Sequence, residues 1–548
     1  MRCTRKGLGA LAAAVLALAA TACQHPWSER GSGSDDTRRL GARDNAYQRR
    51  GWLRCAEQSS RSLAGTSPAL RDALVRRANA CLRRYLSSVS DTAVISADAT
   101  DIQLDGQHFH LDLRGLSPHL APAFRFRVAR DIYVSGAPAH RPDQAKFGVP
   151  LALLAERCQD APICGLLPPE GVFRTATAWI EPGADPDLLP TLVIADPDSP
   201  SPLAPVAALA SDHAAFYAWG TKRSPLRRLG IYALLGGNGA GKRAGVYLLE
   251  DYDPHKQPII MVHGLGSSPL GWARLSSAIW SDEELRARYQ VWHMVYATDA
   301  PLLVQRRRLQ QHLDHAWRVL DPEGDDSARR GIVLVGHSLG GVLSRLLCSD
   351  SEDRLWNAAF DIGPDALDAS SDDIETLSAL FRFDPYAGVS RAIFLAAPHR
   401  GSPLADGVVG RFFSRLAGWR AVELQALRRV ARDNPDAVHQ GLRSTYAAGT
   451  LNSIATLRSS QPIRLATELL SPASSVTFHT IAASKPGVVP EGDGIVPLSS
   501  ALLSGAASTL VVQGGHEVHL NDAAIAEVVR VLRLDASDAP AHRPSGGH

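Results

Sequence analysis

The apolar and polar positions divide the chain into stretches of different period. Residues 40–60 and 68–88 have helical spacing, and the second run places Leu70, Leu74, Ala78, Cys81, Leu82 and Tyr85 on one stripe with its arginines on the other face. From about 91 to 250 the pattern shifts to short alternating runs (IQLDGQHFHLDL, FRFRVARDIYV, TATAWIE, AGVYLLEDY) separated by Pro, Gly and Asp clusters, which predicts a β-rich region. From about 254 to 533, short apolar runs (PIIMVHG, YQVWHMVYA, GIVLVGH, SRAIFLAAP, VTFHTIAA, STLVVQGG) alternate with helical patterns. That alternation predicts an α/β architecture, a mostly parallel sheet with helices on both faces. The expected organisation is a helical hairpin over 40–90, a smaller β-rich accessory domain over 91–252, and the α/β domain over 253–534. The α/β domain carries a mainly helical insertion at 405–470, and 535–548 reads as a disordered tail.

The N-terminus has a different character. Arg2, Arg5 and Lys6 precede an apolar run from Leu8 to Ala20. A membrane-spanning helix needs about 20 apolar residues, so this run is too short to span and reads as a secretory signal over 1–22. Ala20-Thr21-Ala22 followed at once by Cys23 resembles the bacterial lipoprotein signal. That resemblance implies a lipid on Cys23, a membrane as partner, and the periplasmic face of a cell-envelope membrane as location. Ala20 stands where the pattern usually has Leu, so ordinary cleavage and secretion is the alternative. Residues 23–39, rich in Ser, Gly and charge, read as a tether. An exported protein can keep disulfides. The expected pairs are Cys55–Cys81 and Cys158–Cys164, with Cys348 free and buried, although spacing alone also allows five thiols.

Composition narrows the function classes. Among 548 residues 45% are apolar and 21% charged, which is globular rather than disordered composition. The net charge of +2, from 58 basic and 56 acidic side chains, lacks the basic excess of a nucleic-acid binder. The arginines opposite the apolar stripe of 68–88 read as a solvated helix face rather than a lipid-binding surface. Gly236 to Lys242 (GGNGAGK) imitates part of a P-loop, but Arg243 replaces the hydroxyl residue that would hold Mg²⁺ and a strand pattern follows instead of a helix. A glycine-rich turn is the expectation there.

The chemistry gathers around Gly336-His337-Ser338-Leu339-Gly340, a Gly-x-Ser-x-Gly placed between the apolar strand Ile332–Val335 and the helical run LGGVLSRLLC. A strand that reverses tightly into a helix projects the serine hydroxyl, and small residues on either side let the turn close. The serine then lies at a helix N-terminus, where unpaired N–H groups and the helix dipole favour negative charge. With VHGLGSS at 262–268, GHSLGG at 336–341, AAPHRGS at 396–402, GDGIVP at 492–497 and GGHEVH at 514–519, residues 254–533 resemble the α/β-hydrolase superfamily. Within it they are most similar to bacterial lipases and GPI-inositol deacylase-like serine esterases.

The resemblance implies an α/β-hydrolase fold, a serine nucleophile at Ser338, an acid at Asp493 and a base at His516, in the family's chain order. His519 is the alternative base and Asp406 the alternative acid. The backbone N–H groups of Leu265 and Leu339 are the expected oxyanion donors. His263 is expected to brace the loop that carries Leu265. No cofactor is implied. The pair His516 and His519 does not read as a metal site, because its i,i+3 spacing in a loop lacks the helical i,i+4 geometry of His-Glu-x-x-His. Phe412, Phe413, Leu416 and Trp419 in the insertion suit either a lid over an acyl pocket or plain packing. The implied activity is hydrolysis of carboxylic esters of an acylated, fairly apolar substrate through an acyl-enzyme. Alternatives are an acyltransferase with the same three residues, and a non-enzymatic envelope lipoprotein that uses the fold as a scaffold.

Overall fold

In the computed structural model, the described residues are 42–63, 66–90, 92–132, 146–185, 188–203, 207–224, 243–298, 300–402, 422–448 and 462–537. The N-terminal apolar run read as a secretory signal, residues 23–39 with Cys23 read as a tether, the P-loop imitation at Gly236–Lys242, Asp406, and Phe412, Phe413, Leu416 and Trp419 all lie outside them. Contacts group the described residues into two units, one drawn from His25–Ser224 with Leu249–Asp251 and the other from Pro225–Leu248 and Tyr252–His548.

The first unit begins with two helices, Ala42–Arg61 and Pro68–Val89. Pro68 opens the second helix at a position where a missing N–H costs nothing, because the first N–H groups of a helix have no partner within it. Cys55 and Cys81 join the two helices in a disulfide. Seven strands follow: β1 Val94–Ser96, β2 Asp101–Leu104, β3 Gln107–Arg114, β4 Ala123–Val128, β5 Val149–Ala155, β6 Val172–Glu181 and β7 Thr191–Ala195. They form one sheet in the order β1-β4-β5-β6-β7-β3-β2, antiparallel except for the β3–β7 pair. A second disulfide joins Cys158 and Cys164, and Cys348 of the other unit is a buried thiol.

The helical hairpin and the β-rich region, read from sequence as separate domains, share one core. Leu53, Ala56, Leu82, Tyr85, Leu86 and Val89 pack with Phe109, Phe124, Phe126, Leu151 and Leu153. The helical stripe therefore faces the sheet, although its first member, Leu70, is exposed. Tyr85 is fully buried and its hydroxyl donates to the carbonyl of Leu104 at 2.8 Å, so the pairing introduces no orphaned polar group.

The second unit holds another seven-stranded sheet, from β8 Gly245–Leu248, β9 Gln257–Val262, β10 Tyr289–Val295, β11 Ile332–His337, β12 Val389–Leu395, β13 Thr477–Ser484 and β14 Ser508–Gln513. Their order is β14-β13-β12-β11-β9-β10-β8. All pairs are parallel except β8 on β10. Strand β8 corrects the sequence-derived boundary: it was assigned to the accessory region, yet it forms the antiparallel edge of this sheet. Its alternation of half-buried and buried positions suits an edge and resembles the alternation of the preceding strands, so the pattern could not show where the chain changes sheets. Strands β9, β10 and β11 are buried almost throughout, as expected under helices on both faces.

The topology fixes where a site can form. The chain runs from β9 outward to β10, returns to β11 on the other side of β9, and then winds away through β12, β13 and β14. The switch of direction lies between β9 and β11, and in open α/β sheets the carboxyl ends of the strands at such a point are where ligands bind. In the insertion, the described helix Val422–Asp433 buries Leu424, Ala426, Leu427 and Val430, and Glu423 and Arg429 pair with Arg308 and Asp373 of the domain. No helix among the described residues is long and apolar enough to cross a membrane.

Two buried histidines lie beside this switch point. His263, directly after β9, stacks on Tyr296 with ring centroids 4.4 Å apart and donates through Nδ1 to the carbonyl of Gly264 at 3.0 Å. Tyr296 in turn donates its hydroxyl to the carbonyl of His263 at 2.6 Å. His293 of β10 reaches Ser276 at 3.3 Å. Burial is the main cause that lowers both pKa values, His263 to about 4 and His293 to about 3.

Two predictions follow from this architecture. The Cys55–Cys81 bond closes a loop of 26 residues, so replacing both cysteines by serine should lower the stability of the first unit by about 3 kcal/mol, read from denaturant unfolding. The buried histidines have folded pKa values below the ordinary value of about 6.5. Their contribution is therefore complete above pH 6.5 and is lost as pH falls toward the folded values, because the unfolded chain takes up the protons first. Unfolding at pH 5 should show a loss of roughly 2 kcal/mol from each histidine relative to pH 7, and His293→Phe should remove its share of that loss.

Candidate active site

At the carboxyl end of β11 the backbone turns sharply at Ser338, which adopts φ 54° and ψ −124°, and the helix Leu339–Leu347 starts immediately. A non-glycine residue in this region stores about 1–3 kcal/mol of strain, which the surroundings must hold in place. They do so by close packing. A Cβ on Gly336 would come within 2.5 Å of the Gly340 carbonyl oxygen, and one on Gly340 within 2.1 Å of the Val262 oxygen. The motif glycines are therefore a steric requirement of laying the helix against β9 and β11. The Ser338 N–H donates to the carbonyl of Leu395 in β12 at 2.9 Å, which ties the turn to the next strand.

Three residues far apart in the chain meet at this turn. The Ser338 hydroxyl lies 2.8 Å from His516 Nε2, and His516 Nδ1 lies 2.8 Å from Asp493 Oδ2. These partners assign the tautomer: Nδ1 carries the proton toward the carboxylate, and Nε2 accepts from the serine. The other Asp493 oxygen accepts the N–H groups of Ile495 and Val496, both at 2.7 Å. Burial alone would raise the Asp493 carboxyl, but the hydrogen bond and charge of His516 together with those N–H groups hold it below the ordinary carboxylate range. The carboxyl is thus fixed as a charged acceptor aimed at the imidazole. Asp493 sits in the loop after β13 and His516 in the loop after β14, so neighbouring strands deliver the carboxylate and the imidazole to the same end of the sheet.

The loop after β9 closes the other side. A Cβ on Gly264 would come within 3.0 Å of Ser338 Cβ, so a side chain here would push the loop or the serine by a few tenths of an ångström. Gly266 N–H donates to Thr298 Oγ1 at 3.3 Å, which steadies the loop from below. The N–H groups of Leu265 and Leu339 donate to no acceptor among the described residues. Leu339 is the first residue of its helix, where that freedom is expected.

His519 is buried and is held away from the serine–imidazole pair. It packs with its ring centroid 5.5 Å from Trp272 and 4.2 Å from His337. The structure thus brings His516 rather than His519 to Ser338, while Asp406 lies outside the described residues. His337, which the motif treats as a spacer, escaped the sequence reading. Its Nε2 donates to the carbonyl of His516 at 2.9 Å, a contact made across 179 residues of chain. Spacing in the sequence holds no signal for it.

Comparison with known proteins agrees with this architecture. Residues 259–531 match the alpha/beta hydrolase family. Among solved structures, the chain is similar to the mature Bacillus licheniformis lipase BlEst2, with 19% identity and a TM-score of 0.31 over 52% of this chain and 94% of that one. It is also similar to lipase 1 from Pelosinus fermentans, with 14% identity and a TM-score of 0.32 over 52% and 100% of the two chains. Esterase B from Lactobacillus rhamnosis gives 13% identity and a TM-score of 0.26 over 53% and 80%. No curated protein matches the chain. The segment that holds Ser338, Asp493 and His516 is a domain of the alpha/beta hydrolase family.

Proposed function

We propose that the protein is a serine ester hydrolase of the lipase or carboxylesterase type. The observation that carries this reading is the continuous relay from Ser338 through His516 to Asp493, two contacts of 2.8 Å each at a strained turn. A serine hydroxyl is a weak nucleophile until a neighbouring imidazole takes its proton. Ser338 Oγ attacks the ester carbonyl carbon while His516 Nε2 accepts the hydroxyl proton. The imidazolium that forms is stabilised by Asp493, which stays charged. The carbonyl oxygen becomes an oxyanion and takes hydrogen bonds from the N–H groups of Leu265 and Leu339, which have no other acceptor among the described residues. Collapse of this intermediate breaks the bond to the alcohol, which leaves with the proton from His516. Water then attacks the acyl-enzyme carbonyl, giving a proton to His516, and collapse of the second intermediate breaks the bond to Ser338 Oγ, which takes that proton back from His516 as the acid is released. An acylated, fairly apolar ester is the substrate class that the resemblance to lipases favours.

The proposal extends to location. Export, with a lipid on Cys23 anchoring the chain to an envelope membrane, rests on the N-terminal sequence. Two disulfides accord with an oxidising compartment. Metabolic labelling with a fatty acid should mark the wild type and leave Cys23→Ala unmarked. Equal labelling of both would reject the anchor.

The activity is tested with p-nitrophenyl esters of increasing acyl length. Ser338→Ala should reduce kcat by roughly 10⁴-fold or more. Asp493→Asn should reduce it by about 10⁴-fold, since the imidazole then loses its correct tautomer. Wild-type turnover that survives in folded Ser338→Ala would reject the reading.

A further inference from the structure

His337 is a buried titratable side chain for which the proposed reaction has no step. It forms the end of β11, its own backbone is paired in register with Leu395, and the next residue is Ser338. Its side chain projects toward the loop that carries His516. There its Nε2–H meets the His516 carbonyl at 2.9 Å, and the two rings lie with centroids 5.0 Å apart. No backbone N–H among the described residues donates to that carbonyl.

The loop itself needs such a hold. Gly514 lies at φ 155° and Gly515 follows, so two residues without side chains lead into His516. Such residues impose little restriction on the backbone. At its ring, His516 is restrained through Nδ1 by Asp493. Its Nε2 meets Ser338, and the main chain is anchored just before the glycine pair, where the Gly514 N–H donates to the Ser484 carbonyl at 3.1 Å. Between that anchor and the ring, a shift of the His516 main chain would move Nε2 relative to the serine, and a bond at the His516 carbonyl opposes such a shift. The fixed end of that bond is the residue covalently joined to the nucleophile.

The surroundings of His337 serve the same end. His519 also packs on it, with ring centroids 4.2 Å apart, and Trp272 meets both imidazoles edge-on, 5.5 Å from His519 and 6.5 Å from His337. A Cβ on Gly271 would come within 2.9 Å of His519 Nε2, and one on Gly264 within 3.1 Å of His337 Nδ1, so glycines allow close approach at both places. Burial, and then the neighbouring His519 and His516, keep the His337 imidazole neutral. A second positive ring beside His516 would oppose the imidazolium that the proposed reaction forms.

We propose that His337 is a positioning residue: its Nε2–H bond to the main-chain carbonyl of His516 locks the base against the nucleophile that His337 itself precedes. This rests on Ser338 and His516 acting as nucleophile and base. It also gives His519, the rejected candidate base, a place: it wedges the His337 ring.

The test compares His337→Leu, which lacks the donor, with His337→Gln, which keeps an N–H donor on a flexible stem. Melting temperature, kcat and KM for a p-nitrophenyl ester, and a crystal structure are obtained for each full-length variant. Displacement of a catalytic group by about 1 Å can lower turnover by about 10²-fold, so His337→Leu should lose turnover on that scale with KM little changed. His337→Gln should recover most of the loss, and the His516–Ser338 hydrogen bond should be broken in the Leu crystal structure and present in the Gln one. Turnover of His337→Leu close to wild type would overturn the proposal. So would a loss confined to KM, a Gln variant no better than Leu, or failure of both variants to fold. If the wild type hydrolyses no ester, the functional reading fails instead, and the position of His516 in the two crystal structures decides this inference alone.

Discussion

The arrangement depends on one backbone constraint, the strained turn at Ser338. A parallel strand buried on both faces has to reverse into a helix within a single residue, and the left-handed conformation at φ 54° is the way that reversal is made. Strain of that kind persists only where packing leaves no alternative. Here the helix is pressed against β9 so closely that Gly340 has no space for a methyl group, and the Ser338 N–H is tied to β12. The hydroxyl is thereby held at the carboxyl end of β11, next to a Leu339 N–H that has no acceptor among the described residues. Nothing in the relay would align if the turn relaxed.

From that constraint the neighbouring strands supply the rest. The winding direction switches between β9 and β11, and the loops after β13 and β14 bring Asp493 and His516 to the carboxyl end of β11, where Ser338 sits. Two backbone N–H groups fix one oxygen of Asp493, so the other is free to orient the imidazole. The side chains behind the site are mostly neutral and buried. His263, His293 and His337 each have a depressed pKa for which burial is the leading cause. This neutral, closely packed floor adds no positive charge to oppose the imidazole, which has the Asp493 carboxylate bonded to it and the Glu517 carboxyl as its half-buried neighbour.

Much of this was legible in the sequence because it is local or periodic. The six parallel strands appear as short apolar runs, and Gly-x-Ser-x-Gly between a strand and a helix announces its own turn. The family's chain order points to Asp493 and His516 but leaves Asp406 open as acid and His519 as base, since two histidines three residues apart in one loop differ only in where the loop points. The partition at β8 was not legible, because an antiparallel edge strand alternates like the strands of the preceding sheet. The shared core of the helical hairpin and the first sheet was hidden for a similar reason. An amphipathic stripe states that it must be covered, and does not state by what. The contact between His337 and the His516 carbonyl was beyond reach, since a backbone acceptor carries no residue signature.

The central claim is that Ser338 is activated by His516 in this setting. It is tested most directly by treating wild type, His516→Ala and His519→Ala with a fluorophosphonate and locating the adduct by peptide mass mapping. The account predicts rapid phosphonylation of Ser338 in the wild type, comparable labelling in His519→Ala, and almost none in His516→Ala. An unlabelled, folded wild type, or an adduct on another serine, would contradict it.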